Sequence, residues 1–417
     1  MANNNKHTGP NVPALRFPEF SGEWESIKLG DVLKLKGGYA FKSEKFQDSG
    51  VPVVRISNLP QNSYSVDLSD CVYYECGNYQ NYTVKNGDLL IAMSGATTGK
   101  TAIYRYDYPA YLNQRVGLFA PKELVHNQFL YPIVESKTFI SQLGSKLVAG
   151  AQPNISSQDI ETIAVGLPSK EEQIKIAHLF ELLNQKIETQ SKIIEELTIL
   201  RSALYDSMFC SPGQEMPKFR IQSFSGKWQL CQLNEICSRK SIKNKDNLYS
   251  RVLTIAAQHG LVDQESFFKK RIASENLESY LCLEKGDFAY NKSYSSDYPW
   301  GAVKRLSNFD KGIISPLYIC FTPKPEVVDP DYLAHYFEST KWHSGISEIS
   351  GEGARNHGLL NMSVIDYFNT CHRIPGLDEQ KAIARRLNAI AHKLQTEQEY
   401  LELLNRQKDC FLKQMFI

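Results

Sequence analysis

The chain has 417 residues, 42% of them hydrophobic, and a formal net charge of +1 from 47 Lys and Arg against 46 Asp and Glu. At ~100–200 residues per domain this length excludes a single ordinary core and implies two to four units, and the apolar content excludes a wholly disordered chain. The near-neutral balance excludes a uniformly basic nucleic-acid binder, so any such contact must rest on local clusters; no run of ~20 apolar residues supplies a membrane span.

Residues 1–12 open on the polar string Met1-Ala-Asn-Asn-Asn-Lys-His-Thr-Gly, without the apolar segment of a signal peptide. They read as a flexible leader, and a cytoplasmic location is expected. The nine cysteines are scattered and form no Cys-x-x-Cys, so reduced thiols are expected rather than a disulfide frame or zinc site.

Residues 20–165 read as α+β, with short β-rich runs at Val51–Ile56, Asp88–Met93 and Arg115–Phe119, and a helical stretch near Gln128–Leu143. Their loops carry hydrogen-bonding groups: Tyr39, Lys42 and Ser43 after a Gly-Gly turn; Thr97, Thr98 and Lys100; Asn113, Gln114 and Arg115; Gln152 and Asn154. Lys, Arg, Ser, Thr and glycine-flanked N–H groups suit phosphates, whereas Asn, Gln and Arg suit base edges.

Near Pro168 the period changes. Glu171-Glu172 marks a helix start, and Ile176, Phe180, Leu183, Ile187, Ile194, Leu197, Leu204 and Met208 recur at spacings of three and four, interrupted at Gln190 and Arg201. This is a coiled-coil seam on a helix of roughly 37 residues, ~55 Å long.

The plan then repeats. Phe20-Ser-Gly-Glu-Trp24 returns as Phe224-Ser-Gly-Lys-Trp228, with Pro13, Arg16 and Leu29 matched by Pro217, Arg220 and Leu233. Residues 224–372 read as a second α+β domain, with a strand at Ile313–Phe321 and a helical stretch near Asp331–Ile346. Its candidate contacts are Arg239, Lys240, Lys243, Asn291, Lys292, Ser293, Tyr294, Tyr298, Lys304, Arg305, Arg355, Asn356 and His357. Ile374-Pro-Gly-Leu-Asp-Glu-Gln380 matches Leu167-Pro-Ser-Lys-Glu-Glu-Gln173 and opens a second seam of Ile383, Leu387, Ile390, Leu394, Leu401, Leu404, Phe411 and Met415, interrupted at Glu397 and Lys408. The chain is therefore a duplication of a variable domain followed by a long helix. Parallel pairing of the helices would set Arg201 beside Lys408; antiparallel pairing avoids this and gives a pseudo-two-fold. The expected boundaries are 1–166, 167–210, 211–373 and 374–417.

Two catalytic signals fail. Gly95-Ala-Thr-Thr-Gly-Lys-Thr101 has three residues between its glycines where a phosphate-binding loop needs four. Asn291-Lys-Ser-Tyr294 lacks both prolines of the Asn-Pro-Pro-Tyr motif of adenine methyltransferases, and no glycine-rich S-adenosylmethionine turn accompanies it. No acidic cluster or His-Glu-x-x-His pattern suggests a metal.

Phe20-Ser-Gly-x-Trp24, Lys36-Gly-Gly-Tyr-Ala-Phe41, Asn86-Gly-Asp-Leu-Leu90, Gly150-Ala-Gln-Pro-Asn-Ile-Ser156 and Leu167-Pro with Glu171-Glu-Gln173, in this order and largely repeated, resemble the specificity subunits of type I restriction–modification systems. Half two departs from the pattern at Gly351-Glu-Gly-Ala-Arg-Asn-His357. The resemblance implies two target-recognition domains, each reading one half of a split site on double-stranded DNA, and antiparallel helices that set the unread spacer. It also implies two docked modification subunits and motor–nuclease subunits, with S-adenosylmethionine, ATP and Mg²⁺ held by those partners and no catalysis or cofactor in this chain. Rival expectations are a coiled-coil scaffold with two protein-binding heads, or a DNA methyltransferase or nuclease with an unfamiliar site.

Overall fold

The structure, a computed structural model, describes residues 11–60, 64–148, 154–257, 259–270, 276–295, 297–350 and 358–417. Its contacts define two compact units, Met1–Ile193 with Gln398–Ile417 and Ile194–Glu397.

Unit 1 contains β1 (Glu25–Lys28), α1 (Leu29–Val32), β2 (Leu33–Gly37), β3 (Val51–Val54), β4 (Val72–Tyr74), β5 (Thr83–Val84), β6 (Leu89–Ala92), β7 (Thr101–Ile103), β8 (Ala110–Leu112) and β9 (Val116–Pro121). There follow α2 (Leu130–Glu135), α3 (Lys137–Val148), α4 (Ser157–Glu161), β10 (Ala164–Leu167) and the first part of the long helix α5 (Lys170–Met208). The strands form two four-stranded sheets, β2-β9-β6-β7 and β4-β3-β8-β5, and the pair β1-β10.

Unit 2 contains β11 (Gln229–Gln232), α6 (Leu233–Ile236), β12 (Cys237–Arg239), β13 (Val252–Ala256), β14 (Gly260–Asp263), α7 (Gln264–Phe268), β15 (Leu281–Glu284), β16 (Phe288–Asn291), β17 (Ala302–Arg305), β18 (Lys311–Ile314) and β19 (Ile319–Pro323). Then come α8 (Pro330–Glu338), α9 (His343–Ile349), α10 (Val364–Phe368), β20 (Cys371–Ile374) and α11 (Leu377–Gln414). Its sheets are β12-β19-β16-β17, β14-β13-β18-β15 and β11-β20. Strand for strand this is the order of unit 1, down to one parallel pairing in each, β3 with β8 and β13 with β18. The duplication thus runs through the middle of each half, where sequence identity has gone.

Central strands explain why the pattern is hard to read. β6 is buried at every position, and alternate side chains serve different cores: Leu89 and Ile91 on one side, Leu90 and Ala92 on the other. β16 does the same, with Phe288 and Tyr290 facing one core and Ala289 the other. A strand covered on both faces reads as a short apolar run, without polar alternation.

The helices α5 and α11 are 39 and 38 residues long, and every predicted seam residue is buried or half-buried. In unit 1, Ile176, Ala177, Phe180 and Leu183 near the start of α5 share a core with Leu412 and Met415 at the end of α11. In unit 2, Met208 and Phe209 share a core with Ile383, Ala384 and Leu387. Within each unit the start of one helix meets the end of the other, which is the antiparallel arrangement. Each repeat therefore ends inside the core of the other repeat's domain. Lys408, an interruption of the seam, is buried in unit 1 with its ammonium 2.8 Å from Glu135 Oε1 and over the Tyr64 ring. Burial pushes the Lys408 ammonium down and the Glu135 carboxyl up, and their mutual attraction opposes both shifts.

Unit 2 also buries a neutral histidine. His372 on β20 meets the Tyr336 hydroxyl at Nδ1 (3.0 Å) and the Thr370 hydroxyl at Nε2 (2.8 Å), and burial pulls its pKa down to about 4. The unfolded chain takes up this proton near pH 6.5, so the stability is complete above that pH and is lost as pH falls toward 4. We expect unit 2 to lose about 3 kcal/mol over that window from this residue. His372→Gln should flatten that part of a denaturation-versus-pH curve.

Candidate nucleic-acid interface

The repeated motifs build a clamp between each domain and the long helix that follows it. Arg16 donates from Nε and Nη2 to the two oxygens of Glu172, both at 2.7 Å, and from Nη1 and Nη2 to the carbonyls of Gly22 (2.5 Å) and Ser21 (3.2 Å). Arg220 repeats this on Glu379 (2.9 and 2.7 Å), Gly226 (2.5 Å) and Ser225 (3.0 Å). Both glycines stand at positive φ, +82° and +90°, which turns these carbonyls toward the guanidinium. Gln173 accepts from the His126 N–H and donates to the Leu124 and Pro168 carbonyls. Gln380 does the same for Asp329, Val327 and Pro375. The most visible motifs therefore fasten each domain to its helix.

The unit 1 loops converge where β6 ends. Beyond β6 the chain stays paired: Met93 N–H donates to Arg115 O, Ile155 N–H donates to Met93 O, and Ser94 bridges Asn154. Gln114, Arg115 and Asn154 thereby line one open groove of about 540 Å³ with Met93, Ser94, Gly95 and Ile155. Ser94, not among the candidate contacts, has a buried Oγ without a hydrogen-bond partner among the described residues. It directly precedes the segment Gly95–Thr101. That segment closes the β6–β7 hairpin, with Gly99 N–H donating to Ala92 O and Ala92 N–H to Lys100 O. A nucleotide loop would lead from a strand into a helix. Thr97 and Thr98 hydroxyls donate to Ile56 and Gly95 carbonyls, and Lys100 is half-buried.

Gly38 permits a second approach. A Cβ there would lie 2.2 Å from Asn113 O, so only glycine lets this backbone pack on the β8 end. The fit sets Tyr39 in a bridge with Asn113 and leaves its ring 39% exposed against Phe41, Tyr79 and Tyr82. Lys42 and Ser43 follow, exposed on a short 3-10 turn.

Unit 2 repeats the frame with other side chains. Ser293 bridges Leu359 and Leu360 N–H donates to Lys292 O, as Ser94 bridges Asn154. Asn291 accepts from Ser293 N–H, Tyr294 is 43% exposed, and Tyr298 is half-buried with its backbone paired to Ser295. Arg239 and Lys243 are exposed. Three expected contacts are held by acids of the same unit. Lys240 pairs with buried Asp287 (3.1 Å), Lys304 with Glu338 (2.5 Å) and Arg305 with Asp331 (2.5 Å). Gln152, Arg355, Asn356 and His357 lie outside the described residues. Among the described residues no helix is long and apolar enough to cross a membrane.

Residues 21–198 match the family described as the type I restriction modification DNA specificity domain. The chain is 30% identical over 185 residues to the type I restriction enzyme MjaVIII specificity subunit of Methanocaldococcus jannaschii, covering 43% of this chain and 44% of that one. It is 26% identical over 399 residues to the EcoBI specificity subunit of Escherichia coli, covering 88% and 79%. The chain thus spans less than half the length of the MjaVIII relative and most of the EcoBI relative. In fold it is similar to the crystal structure of a type I restriction-modification system S subunit from M. genitalium, with TM-score 0.62 at 15% identity over 97% of this chain and 99% of that one. Residues 21–198 thus match the type I specificity-domain family, and most of the chain is similar in sequence and in fold to type I restriction–modification specificity subunits.

Proposed function

We propose that this chain is the non-catalytic DNA-recognition subunit of a type I restriction–modification complex in the cytoplasm, its two units each reading one half of a split site on double-stranded DNA. The observation that carries this reading is that one fold occurs twice and offers different side chains at the same loop positions: Gly95, Gln114 and Arg115 in unit 1, and Tyr294, Pro316 and Leu317 in unit 2. A scaffold with two protein-binding heads has no such need for unlike hydrogen-bonding loops on a shared frame. Chemistry falls to partners: two modification subunits on the helical regions with S-adenosylmethionine, and motor–nuclease subunits with ATP and Mg²⁺. The continuous helices fix the number of unread base pairs, ~55–60 Å corresponding to about 16–17 base pairs. With a net charge of +1, the lone chain binds DNA weakly and steeply salt-dependently, the partners adding phosphate contacts.

The test is selection from random double-stranded DNA with the chain bound to its modification subunits. Enrichment of two unlike motifs at a fixed gap is expected; no enriched sequence, or methyl transfer by the chain alone, would overturn the reading. Inserting four residues after Gln190 is expected to lengthen or abolish the preferred gap while each half-motif persists, checked in the same selection.

A further inference from the structure

The turn that joins β8 to β9 in unit 1 has an equivalent in unit 2. Val54 pairs with Leu112 as Leu253 pairs with Ile314. The next residues close the same turn, Val116 N–H donating to Asn113 O (2.9 Å) and Tyr318 N–H to Ser315 O (3.1 Å). Position by position, Asn113-Gln114-Arg115 therefore corresponds to Ser315-Pro316-Leu317.

Arg115 differs from the other arginines of its unit. Arg16, Arg105 and Arg406 hold carboxylates and Arg55 donates to the Asp70 carbonyl. Arg115 is exposed and has no side-chain partner among the described residues. Its backbone is nonetheless fixed, since its carbonyl accepts from Met93 N–H. An unpaired guanidinium on a fixed turn, beside a groove with Gln114 and Asn154 on its wall, is prepared for a ligand with two adjacent acceptors. In the major groove that is the O6/N7 edge of guanine. Leu317, at the same place in unit 2, is 68% exposed. It has nothing to donate, and its complement on a base edge is the thymine 5-methyl group.

We propose that this turn is the specificity-determining position of each unit, Arg115 selecting guanine in one half-site and Leu317 selecting a thymine methyl in the other. The proposal rests on the reading of both units as DNA-binding heads. It is tested by mapping every adenine methylated by the full chain in complex with its modification subunits, for the wild type, Arg115→Ala and Leu317→Ala. Arg115→Ala is expected to relax one G·C position of one half-site by about tenfold to hundredfold. Leu317→Ala is expected to relax one A·T position of the other by about fourfold, the worth of roughly one buried methylene. In each case the half-site read by the unaltered unit stays sharp and reports that the complex is intact. An even loss at all positions after Arg115→Ala, as for a phosphate contact, or an unchanged pattern overturns the proposal. A wild-type complex that methylates no defined sequence overturns the proposed function itself.

Discussion

Glu172→Ala will destabilise unit 1 by about 3–5 kcal/mol, the cost of leaving a buried charge without its partner. The side chains of Arg16 and Glu172 are 4% and 1% exposed, so the guanidinium cannot turn to water once the carboxylate is gone. Two backbone carbonyls remain to Nη1 and Nη2, but Nε–H loses its acceptor and the charge is left uncompensated. Arg16→Met with Glu172→Leu should cost less than either single change, because the desolvated charge goes with the pair. Chemical denaturation of the four proteins gives the coupling energy directly. A cost below 1 kcal/mol for Glu172→Ala would assign the pair to the surface class and remove the clamp. The equivalent Glu379→Ala, against Arg220 at 15% and Glu379 at 4% exposure, should follow with a somewhat smaller effect in unit 2.

Phe209→Ala will lower the stability of unit 2 by about 3–5 kcal/mol, although Phe209 ends the first repeat. Its ring is 1% exposed and meets Tyr332 at 5.4 Å and Tyr336 at 5.6 Å between centroids. Phe416, its counterpart in the second repeat, meets Trp24, Phe129 and Phe180 in unit 1. Amide hydrogen exchange will locate the damage. Protection should fall in residues 224–372 and hold in residues 20–165. Loss in the first domain instead would show that each helix packs on its own domain, and the exchange of helix ends would be wrong.

Both effects involve residues that could be found in the sequence, yet their jobs could not. Arg16 and Arg220 stand out as a repeated pair, as do Glu172 and Glu379. Nothing local joins Arg16 to Glu172, because the contact closes 156 residues of chain. The helices were readable from end to end, since a period near 3.5 carries over many turns. Lys408, read as an interruption of the seam, is instead a buried partner of Glu135. The domains' shared topology was hidden. Strands of two to six residues, buried on both faces in β6 and β16, leave too short a pattern for alignment.

The candidate surface shows the same limit. Composition marked Lys240, Lys304 and Arg305 as candidate DNA contacts, but a sequence cannot say which cations already hold an acid. Gln114, Arg115 and Asn154 were picked on hydrogen-bonding chemistry, and the strand extension at Met93 and Ser94 gathers them into one groove. Leu317 went unnoticed because an apolar residue in a turn carries no chemical flag; only its register with Arg115 gives it meaning.

The most direct measurement is a hydroxyl-radical footprint of the partner-bound chain on its own methylation site, read at single-nucleotide resolution on both strands. The account predicts two protected patches of unlike sequence, separated by a gap of constant length. One continuous patch, or none, would contradict it.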